Sequence, residues 1–292
     1  MADQAQKLRD MVDQKDGEND SVDLTSPSRR SRVQPVSRAE VLTVTSGKGG
    51  VGKTNVAVNI GLALQQTGKK VAVVDMDLGM ANVNVLTNVS PALDLFDVYQ
   101  ERHSVRDVLV DGPGGIKIAA GASGKDQLAN LGSEQCQVFL EELAELDRMF
   151  DVIIVDTSAG ISTHVLHFVR AADRTILVTT PEPTAITDAY ALVKSSLRKR
   201  PRPNFQILVN RSTTKVAEKM SRVGKEFINV DLDILGFMVE DQAVNRAVRS
   251  RSPFLEKFPD SKVSQCIQHI ARRVEDPEHS VKPTGVEGFF ES

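Results

Sequence analysis

An α/β fold, built on a mostly parallel sheet with helices on both faces, is predicted by three features of this sequence. Between residues 40 and 276, short apolar segments alternate with helical patterns, as repeated βα units do. Several of those segments are apolar on successive residues, as strands covered on both faces are. The first is followed by a glycine-rich turn and a helical run, and two later ones end in aspartate.

The strands read, in order, at 41–45, 71–74, 116–119, 152–155, 175–178, 206–209 and 234–237. Residues 55–64 read as the helix after the glycine turn. A closing helix is expected over 262–274, where Val263, Cys266, Ile267, Ile270, Ala271 and Val274 keep one apolar stripe and Pro277 supplies the stop. No linker interrupts this alternation, so 40–276 reads as a single domain. Ahead of it, residues 1–12 carry a short helical pattern, with Asp3 as N-cap and Ala5, Leu8 and Val12 on one stripe. Residues 13–39 are polar, first acidic and then basic, and bury too little apolar surface to offset chain entropy; they read as a disordered linker. Residues 277–292 form a C-terminal tail.

Composition narrows the class. Of 292 residues, 40% are hydrophobic and 26% charged, ordinary for a globular chain with an ample core. A net charge of −3 is not the footprint of a specific nucleic-acid binder. The two cysteines, Cys136 and Cys266, lack the spacing of a disulfide framework, a zinc site or an iron–sulfur cluster. His164 and His167 lack a third ligand, and the basic run at 198–202 reads as a solvated loop. No apolar run reaches about 18 residues and the N-terminus is polar, which predicts a cytoplasmic protein.

The chemistry concentrates in three places. Gly47-Lys48-Gly49-Gly50-Val51-Gly52-Lys53-Thr54 fits G-x-x-x-x-G-K-[ST] in the strand–turn–helix setting that a phosphate loop needs. Its glycines let backbone amides close on phosphates at a helix N-terminus, which Asn55 continues. Lys53 is placed for the β- and γ-phosphates and Thr54 for Mg²⁺. Asp75 and Asp77 follow an apolar strand, where open α/β sheets bind ligands; Asp75 would hold Mg²⁺ and Asp77 would orient the attacking water. Asp156 ends another apolar strand and would hold the Mg²⁺ water shell.

Lys48 makes the loop unusual. The pattern K-G-G-x-G-K-T resembles the deviant phosphate loop of the MinD/ParA ATPases, whose extra lysine reaches across a two-fold interface to the partner's phosphates. The resemblance implies a P-loop NTPase fold, ATP and Mg²⁺ as ligands, an ATP-dependent homodimer, and catalytic roles for Lys48, Lys53 and Asp77. It also places Asn210, after the strand at 206–209, against adenine, with the segment 238–242 as a second base-contacting loop lacking the usual proline. Residues 157–160 resemble the family's second switch.

Within that family, residues 182–194, the D-L-G-M-A-N-V run at 77–83 and the D-Q-A-x-x-L-R element at 3–9 resemble the FlhG/FleN flagellar group. There the N-terminal element stimulates the FlhF GTPase, which implies partner contacts by Asp3, Gln4, Ala5, Leu8 and Arg9. Flagellar C-ring components or a transcription activator are the further partners implied. The tail ends in Phe289 and Phe290 among acidic residues, too little apolar area and the wrong charge for firm binding to an anionic leaflet, so any peripheral association at the inner membrane face is expected to be weak. Two other functions stay open at this stage: a MinD- or ParA-like role in division or DNA partition, and a non-catalytic, ATP-dependent anti-activator.

Overall fold

The computed structural model describes residues 38–77, 81–122, 141–197, 204–212 and 233–276, all within the unit Ser37–Ser292. The N-terminal peptide and most of the linker, 78–80, Cys136, the basic run at 198–202, Pro277 and the tail lie outside the described residues.

Eight strands form one sheet: β1 (Glu40–Ser46), β2 (Val71–Met76), β3 (Leu109–Asp111), β4 (Lys117–Ala119), β5 (Val152–Ala159), β6 (Arg174–Thr179), β7 (Phe205–Val209) and β8 (Asp233–Phe237). Their order is β3-β4-β2-β5-β1-β6-β7-β8. All neighbours are parallel except β3 on β4. The short antiparallel strand β3 escapes a sequence reading, since three residues are too few to show a period. The described helices are α1 (Lys53–Gln66), α2 (Val83–Leu86), α3 (Leu95–Tyr99), α4 (Thr163–Ala171), α5 (Pro183–Leu197), α6 (Gln242–Arg249), α7 (Phe254–Lys257) and α8 (Lys262–Glu275).

Strand alternation divides the core. Leu42, Val44, Val73, Ile154, Ile176 and Leu208 pack with α1, α7 and α8 on one face. Val41, Val74, Ile153 and Val155, and beside them Leu177, Ile207 and Val209, pack on the other face with α3, α4 and α5. Burial on both faces explains why these strands are apolar on successive residues. Helix α1 is likewise buried nearly all round, through Val56, Ala57, Val58, Ile60 and Leu64, because α8 covers the side turned from the sheet. Packing begins one residue earlier than expected: Ala39, assigned above to the linker, is fully buried among the residues of the second face.

At the pole away from the strands' carboxyl ends, Arg174 is fully buried. It donates to the Glu40 carboxylate at the start of β1 and to the Val274 carbonyl (2.8 Å) in the last turn of α8. Burial raises the Glu40 carboxyl above its usual range, against the pull of Arg174. The pair therefore fixes geometry more than it adds net stability. Arg174→Met leaves Glu40 and the carbonyl uncompensated and is expected to cost about 3 kcal/mol, or roughly 6–12 °C in thermal midpoint. Adding Glu40→Leu should recover part of that loss in a melting experiment; a midpoint unchanged by Arg174→Met would mean the clasp carries nothing.

Candidate nucleotide site

Strand order brings the predicted residues together. Because β2 and β1 both flank β5, Asp75 on β2 stands level with Asp156 on β5, and Val44 of β1 stands level with Asp156 on its other side. The glycine loop leaves β1 at this level, where successive connections run to opposite sides, the switch point at which open α/β sheets take ligands. A cavity of about 830 Å³ opens there.

The loop's conformation follows from its glycines. Gly50 and Gly52 sit at φ 77° and 95°, left-handed values that residues with a Cβ rarely adopt. Gly52 is the N-cap of α1 and no side chain caps the helix, so the first-turn amides are left for an anion. Helix α1 begins at Lys53, two residues before the apolar pattern suggested. Gly47 has a different reason: a Cβ there would lie 2.2 Å from the Asp188 carbonyl carbon of α5. It admits a helix rather than a phosphate. The Val51 side chain is buried in the core, and its carbonyl accepts from Asn210 Nδ2 at 2.8 Å.

Lys53 is nearly buried and its Nζ lies 2.9 Å from Asp156 Oδ1. Asp156 Oδ2 is buried without a hydrogen-bond partner. Thr54 lines the same cavity, close enough to this carboxylate to oppose the rise of its pKa. Asp75 accepts from the amides of Asp77 (3.1 Å), Asn82 (2.9 Å) and Val83 (3.0 Å), which ties it to the segment around α2. Burial first, and the Asp156 charge second, push the Asp75 carboxyl up to about 7. Burial also raises Asp156, opposed by Lys53 and Thr54. Two adjacent buried carboxyls, a hydroxyl and an orphaned carboxylate oxygen are hard oxygen donors that fit Mg²⁺. Asp77 lines the same cavity beside Ser158 and Ala159 of the second switch. The Gly160 amide, just beyond, donates to Ser46 O at 2.8 Å and ties that switch to the loop.

The pair has a pH signature. A folded pKa raised above the unfolded value means the native state holds the proton more tightly, so Asp75 stabilises the metal-free protein most at low pH. That contribution is lost as pH rises toward about 7. Melting of nucleotide-free, Mg²⁺-free protein should give a higher midpoint at pH 6 than at pH 8, and Asp75→Asn should shrink the difference. An equal difference in the variant would remove Asp75 as its source.

Asn210, at the end of β7, also spends one acceptor, its Oδ1 taking the Arg211 amide at 2.9 Å. One amide hydrogen and one lone pair remain, the pattern that pairs with adenine N7 and N6. Met238, Val239 and Glu240 line this end of the cavity, as do Val244, Asn245 and Val248 of α6. The α6 residues were missed above, although Val244 and Val248 keep an i, i+4 spacing that could have marked a face. Lys48 is the surprise. Its Nζ is 2.9 Å from both Glu182 Oε2 and Thr184 Oγ1 of its own chain, the first residues of the 182–194 segment. The pair is exposed, 37% for Lys48 and 58% for Glu182, so it adds little stability and opens readily.

Fold and loop together define a nucleotide-binding protein with a phosphate loop at the centre of a parallel sheet. Residues 42–254 match the CobQ/CobB/MinD/ParA nucleotide binding domain. The chain is 40% identical over 256 residues to antiactivator FleN of Pseudomonas aeruginosa, covering 86% of this chain and 91% of that one. It is 30% identical over 260 residues to the flagellum site-determining protein YlxH of Helicobacter pylori, covering 85% and 87%. Among solved structures, the MinC:MinD cell division protein complex of Aquifex aeolicus superposes with a TM-score of 0.68 at 28% identity, over 85% of this chain and all of that one. The chain belongs to the MinD/ParA nucleotide-binding family, in the group that includes FleN.

Proposed function

We propose that this protein is a Mg²⁺-dependent ATP hydrolase that dimerises on ATP and acts as a switch controlling the number and placement of flagella. The observation that carries the reading is the pair of lysines on one loop. Lys53 points inward to the buried carboxylates, while Lys48 lies on the exposed rim, bonded to α5. The inner lysine serves the chain's own phosphates, and the outer one is placed for those of a second copy.

Thr54, Asp75 and Asp156 would hold Mg²⁺, which would supply charge neutralisation at the β- and γ-phosphates. Asn210 takes the base, and the amides of residues 49–55 hold the phosphates. Asp77 orients a water for in-line attack: its oxygen bonds the γ-phosphorus, the β,γ-bridging oxygen leaves with ADP, and the proton departs through Asp77 to solvent. Glu182 must release Lys48 for this to happen, which makes hydrolysis wait for dimerisation.

The flagellar assignment is supported by the similarity to FleN, named an antiactivator, and to YlxH, named as flagellum site-determining. A transcription activator and C-ring components are the proposed targets, and Asp3, Gln4, Ala5, Leu8 and Arg9 the contacts to FlhF. Among the described residues no helix is long and apolar enough to cross a membrane. Light scattering of Asp77→Ala is expected to give a dimer with Mg·ATP and a monomer with ADP. A peptide of residues 1–12 is expected to raise FlhF GTP turnover, with Gln4→Ala removing most of the effect and leaving ATP turnover intact. A monomer in both nucleotides would end the switch reading; an inert peptide against FlhF shown to dimerise with GTP would end the FlhF assignment alone.

A further inference from the structure

Arg211 stands next to the base-reading Asn210 and does none of that residue's work. Its backbone is left-handed at φ 54°, a conformation that costs a residue with a Cβ about 1–2 kcal/mol. Asn210 imposes it. The Asn210 amide is held by Thr179 O at 2.8 Å, its Nδ2 by Val51 O, and its Oδ1 takes the Arg211 amide. The turn directs the Arg211 side chain over the phosphate loop, where Nη2 makes one long contact, 3.5 Å, to Gly50 O. Strain of this kind, maintained by a built brace at the edge of a ligand site, is characteristic of functional positions.

The side on which the guanidinium lies is informative. In a loop whose amides converge on phosphate, the carbonyls face away from it. A side chain that reaches Gly50 O therefore lies at the edge of its own loop rather than among the loop's amides. Lys48 is there too, and Glu182, which holds Lys48, also feels the Arg211 charge, as the second cation acting to lower its pKa after Lys48. Among the described residues Arg211 has no carboxylate within ion-pair distance. It is exposed and lines the rim of the nucleotide cavity. Two cations thus stand beside the loop, Arg211 at the cavity's edge and Lys48 on its outer side, and both act on Glu182.

We propose that Arg211 acts in trans, hydrogen-bonding the phosphate oxygens of the partner subunit's nucleotide beside Lys48 and stabilising the charge that develops there during γ-phosphoryl transfer. The inference rests on the ATP-bound dimer proposed above. The two side chains differ in use: lysine supplies a point charge, whereas a planar guanidinium binds two oxygens at fixed geometry. Removing Arg211 should lower kcat at least about a hundredfold, the low end for losing one donor to the developing charge.

Complementation between inactive subunits tests it, with variants mixed as monomers before Mg·ATP is added. In an Arg211→Ala and Asp77→Ala mixture, the Arg211→Ala chain keeps its own Asp77 and receives arginine from its partner. Turnover should return to about a quarter of wild type, since half the dimers are mixed and each holds one complete site. Arg211→Ala with Lys48→Ala should stay inactive, because no site then receives both cations. An arginine acting in cis reverses both results, and that reversal would overturn the proposal. So would full turnover by Arg211→Ala alone. Lys48→Ala with Asp77→Ala is the control: if it fails to recover, the dimer reading itself falls, whereas its recovery with a silent Arg211 pair removes only the arginine. Arg211→Asn, which tolerates the left-handed backbone, should behave as Arg211→Ala does. A fluorescent-ADP titration gives a readout independent of turnover. Monomer affinity within about threefold of wild type is expected, and a loss of tenfold or more would mean that Arg211 covers the nucleotide of its own chain.

Discussion

Replacing Lys53 by alanine is expected to lower nucleotide affinity at least about a hundredfold, close to 2.7 kcal/mol. Two losses combine. The phosphates lose a charge-assisted donor, worth about 1.5–3 kcal/mol. The Asp156 carboxylate, fully buried with one oxygen already unpaired, also loses its ion pair at 2.9 Å beside the buried Asp75. Removing one member of a buried pair leaves an uncompensated charge, so the variant should also melt lower than wild type. Asp156→Asn separates the effects: it keeps Lys53 for the phosphates, relieves the carboxylate pair, and should bind nucleotide with little dependence on Mg²⁺. Fluorescent-ADP titration with and without Mg²⁺ reads both variants. Full affinity in Lys53→Ala would mean that the glycine loop is not the phosphate site.

Lys48→Ala is expected to reduce steady-state hydrolysis about a thousandfold while nucleotide affinity of the monomer changes by less than about threefold. A cation delivered by the partner acts on charge that develops in the transition state, so it changes turnover rather than ground-state binding. Among the described residues of its own chain the lysine meets Glu182 and Thr184, an exposed pair whose loss should leave stability almost untouched. Stopped ATPase assays beside light scattering distinguish the steps. Glu182→Ala, which frees the lysine, should shift dimer formation to lower ATP concentration. Normal turnover by a monomeric Lys48→Ala would remove the deviant-loop reading.

Much of the site was legible because its residues are local in sequence. The loop from Gly47 to Thr54 is one turn between one strand and one helix, so its glycine spacing is itself the structure. Aspartates that end apolar strands are legible for the same reason: a strand of successive apolar residues is buried, and its last residue reaches the carboxyl edge of the sheet. Less visible were short or non-local features. Strand β3 has three residues. The face of α6 toward the base end is known only once the cavity is seen. Gly47 reads as a phosphate glycine until Asp188 of α5 is found against it.

By itself, the sequence determined the fold class, the phosphate loop with its two lysines and the identities of the acidic residues, since each depends on periodicity or on contiguous spacing. Only the tertiary structure decided how those residues meet. The order β2-β5-β1 sets Asp75 level with Asp156 although 80 residues of chain lie between them, and that adjacency, after burial, is what raises the Asp75 carboxyl. Likewise, the approach of α5 and of the β7 end to the loop gives Lys48 a partner in its own chain and brings Arg211 to the edge of the cavity. Pairings of this kind come from strand order and helix packing, and local propensity carries no record of either.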